Sequence, residues 1–259
     1  VSKNSILILI PARYQSSRFL GKPLCPLLGT SMIHRVLKNM QFQSNDFETD
    51  AYVVTDDERI ENHVKEISDK VIRVDDDVNS GTLRIELAFR RKFLDLKKYD
   101  LIINVQGDEP LLTKDDLIPL IKYHLNAKVD IATMVKRYGE FSGDFFDHNK
   151  VKVVMNEKSG EVYYFSRAPI PFKRDVKDET FENYWFHHIG VYSYRPNALL
   201  QFAKLDESRL ENLEKLEQLR ALENGFKFGA IETKATLIGV DSPEDVKRVE
   251  EQLKKTIKE

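Results

Sequence analysis

The run SILILI, residues 5–10, is apolar at every position after its serine and stops abruptly at Pro11-Ala12-Arg13. A strand with one wet face alternates apolar and polar residues. A strand without alternation is buried on both faces, and that requires layers packed above and below it. The segments that follow supply those layers. A helix is expected near residues 31–40, a second strand in AYVVTDD, a helix in ERIENHVKEISD and a short third strand in KVIRV. Helical spacing returns in TLRIELAFRRKFLDL, LIINVQGDEP reads as a fourth strand ending in a polar turn, and a helix is expected over 115–125. Strand–helix alternation of this kind predicts an α/β fold with a mostly parallel central sheet.

From about residue 130 the rhythm changes. DIATMVKR, KVKVVMN, EVYYFSR and HHIGVYSYR are β-like runs joined by loops, which predicts a mixed or antiparallel extension. A helical stretch over 211–223, a strand over 226–231 and a final helix from Pro243 return to the earlier style. No internal repeat and no Gly/Ser/Pro-rich linker interrupts the chain. The expectation is one domain over 1–259 with a β-rich insertion at roughly 130–210.

Bulk charge narrows the function. Forty basic against forty-two acidic side chains leave a net charge of −2, which gives no footprint for general nucleic-acid binding. The one cysteine, Cys25, precludes an intrachain disulfide and suits a reducing compartment. It lies between prolines in KPLCPLLG without a nearby His or Asp, so a small buried side chain is expected there. No apolar run approaches the ~20 residues of a membrane span, and ILILI is too short for the core of a secretory leader. The expected location is the cytoplasm, with no membrane partner.

In an open parallel sheet, ligands bind beyond the carboxyl ends of the strands, so the residues just after the apolar runs matter most. After the first run, Arg13, Arg18 and Lys22 fall within ten residues of turn-prone loop. A nucleoside triphosphate carries about four negative charges, and arginine offers paired donors to phosphate oxygens. A solvated loop with scattered charge would explain the same letters. GKP is not a Walker A sequence, because the earlier glycine and the hydroxyl residue after lysine are missing. Beyond the fourth strand, Asp108 and Glu109 follow Gln106 and Gly107, the glycine allowing a tight turn; a carboxylate there suits Mg²⁺, a hard cation that prefers oxygen. Asp108 could equally close the turn. In IGVDSPEDV, helix capping accounts for Ser242, Pro243 and Asp245 but does not require Asp241, a second candidate metal ligand or an ordinary turn residue. Ser80-Gly81-Thr82 forms a small-residue turn that could meet a base or phosphate, or simply start a helix. Arg167, His188 and Tyr192 stand beside β-type runs and could grip a substrate carboxylate and hydroxyls.

Taken in order, IPARYQSSRFLGKPL, VVTDDERI, SGTLRI, NVQGDEP, VKVV, YYFSRAPIPF, HHIGVYSY, LEKLEQLRALENG and GVDSPED resemble the 3-deoxy-manno-octulosonate (Kdo) cytidylyltransferases, also called CMP-Kdo synthetases. The likeness runs through nearly the whole chain. It implies a Rossmann-like nucleotidyltransferase core, a homodimer, and transfer of CMP from CTP to a 2-keto-3-deoxy sugar acid for bacterial lipopolysaccharide. The resemblance further implies that Arg13, Arg18 and Lys22 hold the CTP triphosphate, with Ser80, Gly81 and Thr82 near the nucleotide. Asp108 and Asp241 would ligate Mg²⁺. Gln106, Arg167, His188, Tyr192, Glu217 and Gln218 would bind the sugar acid, the insertion serving both acceptor binding and dimerisation. Arg18, Lys22, Asp108 and Asp241 are the residues expected to carry catalysis, by positioning and charge stabilisation.

The chain departs from the family pattern at a few positions. Val78 and Leu83 stand where a histidine and a carboxylate are usual around SGT, Leu20 stands for a proline before Gly-Lys, and His187 for a basic residue. The phosphate and metal residues are retained. Two alternatives follow for the acceptor: the 8-amino-3,8-dideoxy variant of the sugar, or another small carboxylate. A third alternative is a nucleotide-binding homologue without activity.

Overall fold

The computed structural model describes residues 3–15, 19–74, 85, 87–88, 91, 95, 98–139, 141, 143–174, 184–235, 237–240 and 242–258. Its packing divides the chain into two compact units, one of Val1–Ile118 with Ala235–Glu259 and one of Pro119–Lys234.

The first unit is built on SILILI. Strand β1 spans Asn4–Ala12, and Ile6 through Ile10 are completely buried. The hairpin strands β2 (Pro26–Leu27) and β3 (Thr30–Ser31) lead into helix α1 (Met32–Met40). Then come β4 (Phe47–Thr55), α2 (Glu58–Lys65), β5 (Val71–Arg73) and β6 (Leu101–Asn104). Strands β6, β1, β4 and β5 lie side by side in that order, all parallel, with Ile8 opposite Ala51 on one side and Ile103 on the other. Each fully buried Ile or Leu of β1 stabilises this sheet by roughly 1.5–3 kcal/mol before chain entropy is counted. Helix α1 buries Met32, Ile33, Val36, Leu37 and Met40, and the Ser31 hydroxyl caps it by accepting the His34 N–H. The helical spacing expected over 82–96 falls mostly outside the described residues; within it, Ile85, Leu87 and Ala88 are helical and buried.

Helix α3 (Lys114–Asn126) contains the boundary between the units. The second unit continues with β7 (Ile131–Tyr138), the single turn α4 (Gly143–Phe146), β8 (Lys152–Met155), β9 (Val162–Ser166) and β10 (Trp185–Tyr194). Helices α5 (Pro196–Phe202), α6 (Arg209–Glu214) and α7 (Gln218–Glu223) precede β11 (Phe228–Glu232). Strand β11 runs parallel to β7, while β7–β10, β10–β8 and β8–β9 are antiparallel, so the mixed extension expected from the sequence is present. The helical stretch expected over 211–223 is two helices, because Lys215 adopts a left-handed conformation (φ 50°) that ends α6.

The last helix, α8, spans Pro243–Lys258 and returns to the first unit. Val249 and Leu253 pack with Leu27, Met32 and Val240, and the Glu250 carboxylate accepts the Leu28 N–H at the tip of the β2–β3 hairpin. The start of α8 shows half of the expected capping-box-like arrangement. Asp245 accepts both the N–H and the hydroxyl of Ser242, so the serine side chain donates where a full capping box would have it accept. Thr113 and Asp116 repeat this arrangement at α3. Cys25 is half-buried; burial, then Glu250, raises its thiol pKa, which disfavours the nucleophilic thiolate. Among the described residues no helix is long and apolar enough to cross a membrane.

Candidate active-site residues

The loops after β1 and β6 meet at the carboxyl end of the parallel sheet. Gly21 takes φ +68°, a left-handed conformation open to glycine at little cost, and starts a short 3₁₀ turn over Lys22–Leu24. This turn sends the Lys22 ammonium to the Asp108 carboxylate, Nζ to Oδ2, at 2.6 Å. The lysine side chain is 15% exposed and the aspartate 31%, so the pair is sheltered but reachable. The β6 loop is anchored from two sides. Asn39 of α1 donates to the carbonyls of Pro110 and Leu112, and the Val240 N–H donates to the Asp108 carbonyl at 3.0 Å. Val240 is the residue before Asp241 in the chain.

Gly107 serves a purpose other than the expected turn flexibility. Its φ is not left-handed; a Cβ there would lie 2.9 Å from the Pro11 carbonyl oxygen. The glycine is required by close approach of the β6 loop to the end of β1. Arg13 follows β1 directly and is half-buried, and Gln106 is half-buried just before Gly107. Arg18, Ser80, Gly81, Thr82 and Asp241 lie outside the described residues, as do Val78 and Leu83. Among the described residues no group of three or more His, Cys, Asp or Glu side chains could hold a metal.

The second unit brings together the other expected residues. The His188 ring is 5.3 Å from that of Tyr192, and Glu217 is close enough to Tyr192 to help raise its phenol pKa well above the usual range, after burial as the main cause. Burial, then His187, holds His188 down to about 3, so it is neutral at physiological pH. Its tautomer follows from Thr133. The threonine's single hydroxyl proton goes to the carbonyl of Val191 (2.7 Å) or Ile189 (3.1 Å), so Oγ1 accepts from His188 Nε2–H at 3.0 Å. That leaves His188 Nδ1 as an acceptor, suited to a hydroxyl and not to a carboxylate. The same threonine fastens the bulge between Ile189 and Tyr192.

Arg167 is heavily engaged. Its guanidinium donates to the carbonyls of Glu214 (2.6 Å), His148 (3.0 Å) and Lys215 (3.2 Å), and its N–H to the Glu214 carboxylate. It therefore braces the turn between α6 and α7, which carries Glu217 and the nearly buried Gln218. Lys152 adds a second brace that no motif assigned: fully buried, its three ammonium protons go to the carbonyls of Asp147, Lys150 and Arg167 at 2.7–2.9 Å. The sequence also assigned no role to Tyr14, Asp57 and Arg59, although VVTDDERI was among the motifs singled out.

A family profile described as Cytidylyltransferase matches residues 7–233. A 3-deoxy-manno-octulosonate cytidylyltransferase of Cytophaga hutchinsonii is 41% identical over 251 residues, covering 96% of this chain and 97% of that protein. The chain is a member of the 3-deoxy-manno-octulosonate cytidylyltransferase family. An 8-amino-3,8-dideoxy-manno-octulosonate cytidylyltransferase of Shewanella sp. strain ANA-3 is also 41% identical, over 252 residues, 96% of this chain and 98% of that one. Among solved structures, a CMP:2-keto-3-deoxy-manno-octonic acid synthetase complexed with CTP superposes with a TM-score of 0.84 at 32% identity, covering 98% of this chain and all of that one. The fold is thus the Rossmann-like nucleotidyltransferase fold, and in this chain Lys22 and Asp108 are paired at the carboxyl end of the parallel strands.

Proposed function

We propose that this cytidylyltransferase transfers CMP from CTP to the anomeric hydroxyl of 3-deoxy-manno-octulosonate and releases pyrophosphate, as a cytoplasmic homodimer. The observation that carries the reading is near-full-length similarity to a synthetase complexed with CTP, together with relatives named for this acceptor. The 8-amino sugar is kept as a second acceptor because a relative named for it is equally similar, at 41% identity. The domain reading is a single nucleotidyltransferase domain over 1–259 in which the β-rich insertion at roughly 130–210 serves the acceptor and the dimer.

In this reading Arg13, Arg18 and Lys22 meet the triphosphate, and Ser80, Gly81 and Thr82 the nucleotide. Gln106, Arg167, His188, Tyr192, Glu217 and Gln218 serve the acceptor, with Arg167 bracing the turn before Glu217 and neutral His188 accepting a hydrogen bond from a hydroxyl at Nδ1. The acceptor oxygen bonds to the α-phosphorus, the bond from that phosphorus to the bridging oxygen breaks, and the hydroxyl proton passes to solvent water as pyrophosphate leaves. Little covalent work is asked of the protein; positioning and charge stabilisation dominate. Lys22 neutralises Asp108 in the free chain, and a ligand bringing both phosphate and cation would engage both partners of that pair.

Asp108 fits a magnesium ligand: it is a hard oxygen donor, partly exposed at the end of β6, and its carbonyl binds the residue preceding Asp241. Mg²⁺ is commonly held by one or two carboxylates with substrate phosphates completing its shell, so Asp108 and Asp241 suffice. When bound, the cation supplies charge neutralisation at phosphoryl oxygens and lowers the pKa of a coordinated hydroxyl.

The test is pyrophosphate release from CTP and Mg²⁺ with each acid in turn. Release with 3-deoxy-manno-octulosonate is expected, and Asp108→Ala should reduce turnover by roughly a hundredfold or more. Release only with the 8-amino sugar would move the acceptor assignment. CTP binding by calorimetry without release for any acid would overturn the enzymatic reading.

A further inference from the structure

The motif VVTDDERI has no part in the reaction described so far, yet it sits against the loop that carries Lys22. Asp57 caps α2 by accepting the Arg59 N–H at 2.9 Å, and its own N–H donates to the hydroxyl of Thr55, fully buried at the end of β4. Its two carboxylate oxygens also take the Arg59 side chain in a fork, Nε at 2.9 Å and one terminal nitrogen at 2.6 Å. That fork aims the guanidinium: its central carbon lies 3.3 Å from the centroid of the Tyr14 ring, a face-on cation–π stack. Tyr14 in turn holds Gly21. The Tyr14 carbonyl accepts the Gly21 N–H at 2.9 Å, and Tyr14 Cε2 and Cζ lie 3.2 Å from where a Gly21 Cβ would stand. Gly21 starts the 3₁₀ turn whose first residue is Lys22.

We propose that Asp57, Arg59 and Tyr14 form a positioning clamp that sets the Lys22 loop, and so the grip of this enzyme on the triphosphate of CTP. The inference rests on the reading that Lys22 meets the triphosphate. Arg59 is a positioning residue, not a phosphate ligand, because Asp57 already takes its fork and its face lies on Tyr14. Its side chain is 55% exposed, so the stack adds little to the burial that holds the fold together. What the stack fixes is where the loop rests.

Charge and shape separate clamp from ligand. Arg59→Lys keeps a cation but loses the planar fork, whereas Tyr14→Phe keeps the ring. Steady-state kinetics with the full-length enzyme would be measured for Arg59→Met, Arg59→Lys, Tyr14→Leu and Tyr14→Phe, with inorganic tripolyphosphate as a competitive probe lacking base and ribose. The first three variants are expected to raise the KM for CTP and the inhibition constant of tripolyphosphate together, by about two- to fivefold, the scale of one exposed stack. The KM for the sugar acid and the melting temperature should stay at wild-type values, and Tyr14→Phe should match wild type throughout. In a Lys22→Ala background, Arg59→Met should add less than about twofold, because both changes act on one contact.

Arg59→Lys equal to wild type while Arg59→Met is impaired would make Arg59 a charge acting on the ligand and overturn the clamp. So would a full Arg59→Met effect persisting in Lys22→Ala, or wild-type KM in Arg59→Met alongside an impaired Lys22→Ala. If Lys22→Ala itself leaves the KM for CTP unchanged, the triphosphate role of Lys22 falls first, and the clamp with it.

Discussion

A methyl group at position 107 would stand 2.9 Å from the Pro11 carbonyl oxygen, where backbone meets backbone and no flexible side chain can give way. Gly107→Ala must therefore move the β6 loop away from β1, and Asp108 with it. The expected result is a turnover at least tenfold below wild type, with a modest loss of stability of about 1–3 kcal/mol. Pyrophosphate assays beside thermal unfolding would check it; wild-type turnover would show that the close approach does not position Asp108. The same residues show what a sequence can and cannot announce. Lys22 and Asp108 stand out because each follows an apolar run, yet they are 86 positions apart and nothing in either motif says that their side chains meet. Arg59 and Tyr14 are harder still, since a cation–π stack between a helix and a loop leaves no spacing signal.

Helices α6 and α7 are joined by one buried ion pair. Glu211 takes the Arg220 guanidinium at 2.5 and 2.8 Å, with the two side chains only 12% and 8% exposed, and it completes the capping box with Ser208. Removing one partner of such a pair strands a charge, whereas removing the cap costs a hydrogen bond. Glu211→Ala should therefore destabilise the chain by about 3–5 kcal/mol, and Ser208→Ala by about 1 kcal/mol. Urea unfolding of both variants would decide; equal losses would mean that the cap, not the pair, holds the corner. The Ser208-x-x-Glu211 spacing is a capping-box pattern legible in the letters. The break at Lys215 is not, because no glycine or proline marks it. Its carbonyl is held by Arg167, from another element.

In the second unit three histidines, His124, His187 and His188, are kept neutral chiefly by burial. His124 is completely buried and pushed down to about 4 by desolvation, then by Arg195; it accepts from the Ser193 hydroxyl and donates to the Val129 carbonyl. His188 is held at about 3 and His187 at about 4, both chiefly by burial. An unfolded histidine titrates near 6.5, so below that pH the unfolded chain takes up protons that the native chain refuses. This contribution is complete above pH 6.5 and is lost as pH falls toward 4, at roughly 1.4 kcal/mol per pH unit for each fully buried ring. Urea midpoints should therefore drop between pH 7 and pH 5, and His124→Gln should drop less steeply. A flat profile over that window would show that these rings charge in place.

Much of the architecture follows from local pattern. Uninterrupted SILILI called for a strand buried on both faces, helical spacing called for its covering layers, and a change of period near residue 130 marked the mixed sheet. These are one-dimensional signals because the hydrophobic effect acts on each residue according to which face it presents. The ordered motifs likewise determined the family. What tertiary structure alone decided is which distant groups satisfy one another: Lys22 with Asp108, Arg167 with the α6–α7 turn, Lys152 with three carbonyls, His188 with Thr133. Charge and hydrogen bonding depend on distance in space and on burial, and neither is written in the spacing of residues along the chain.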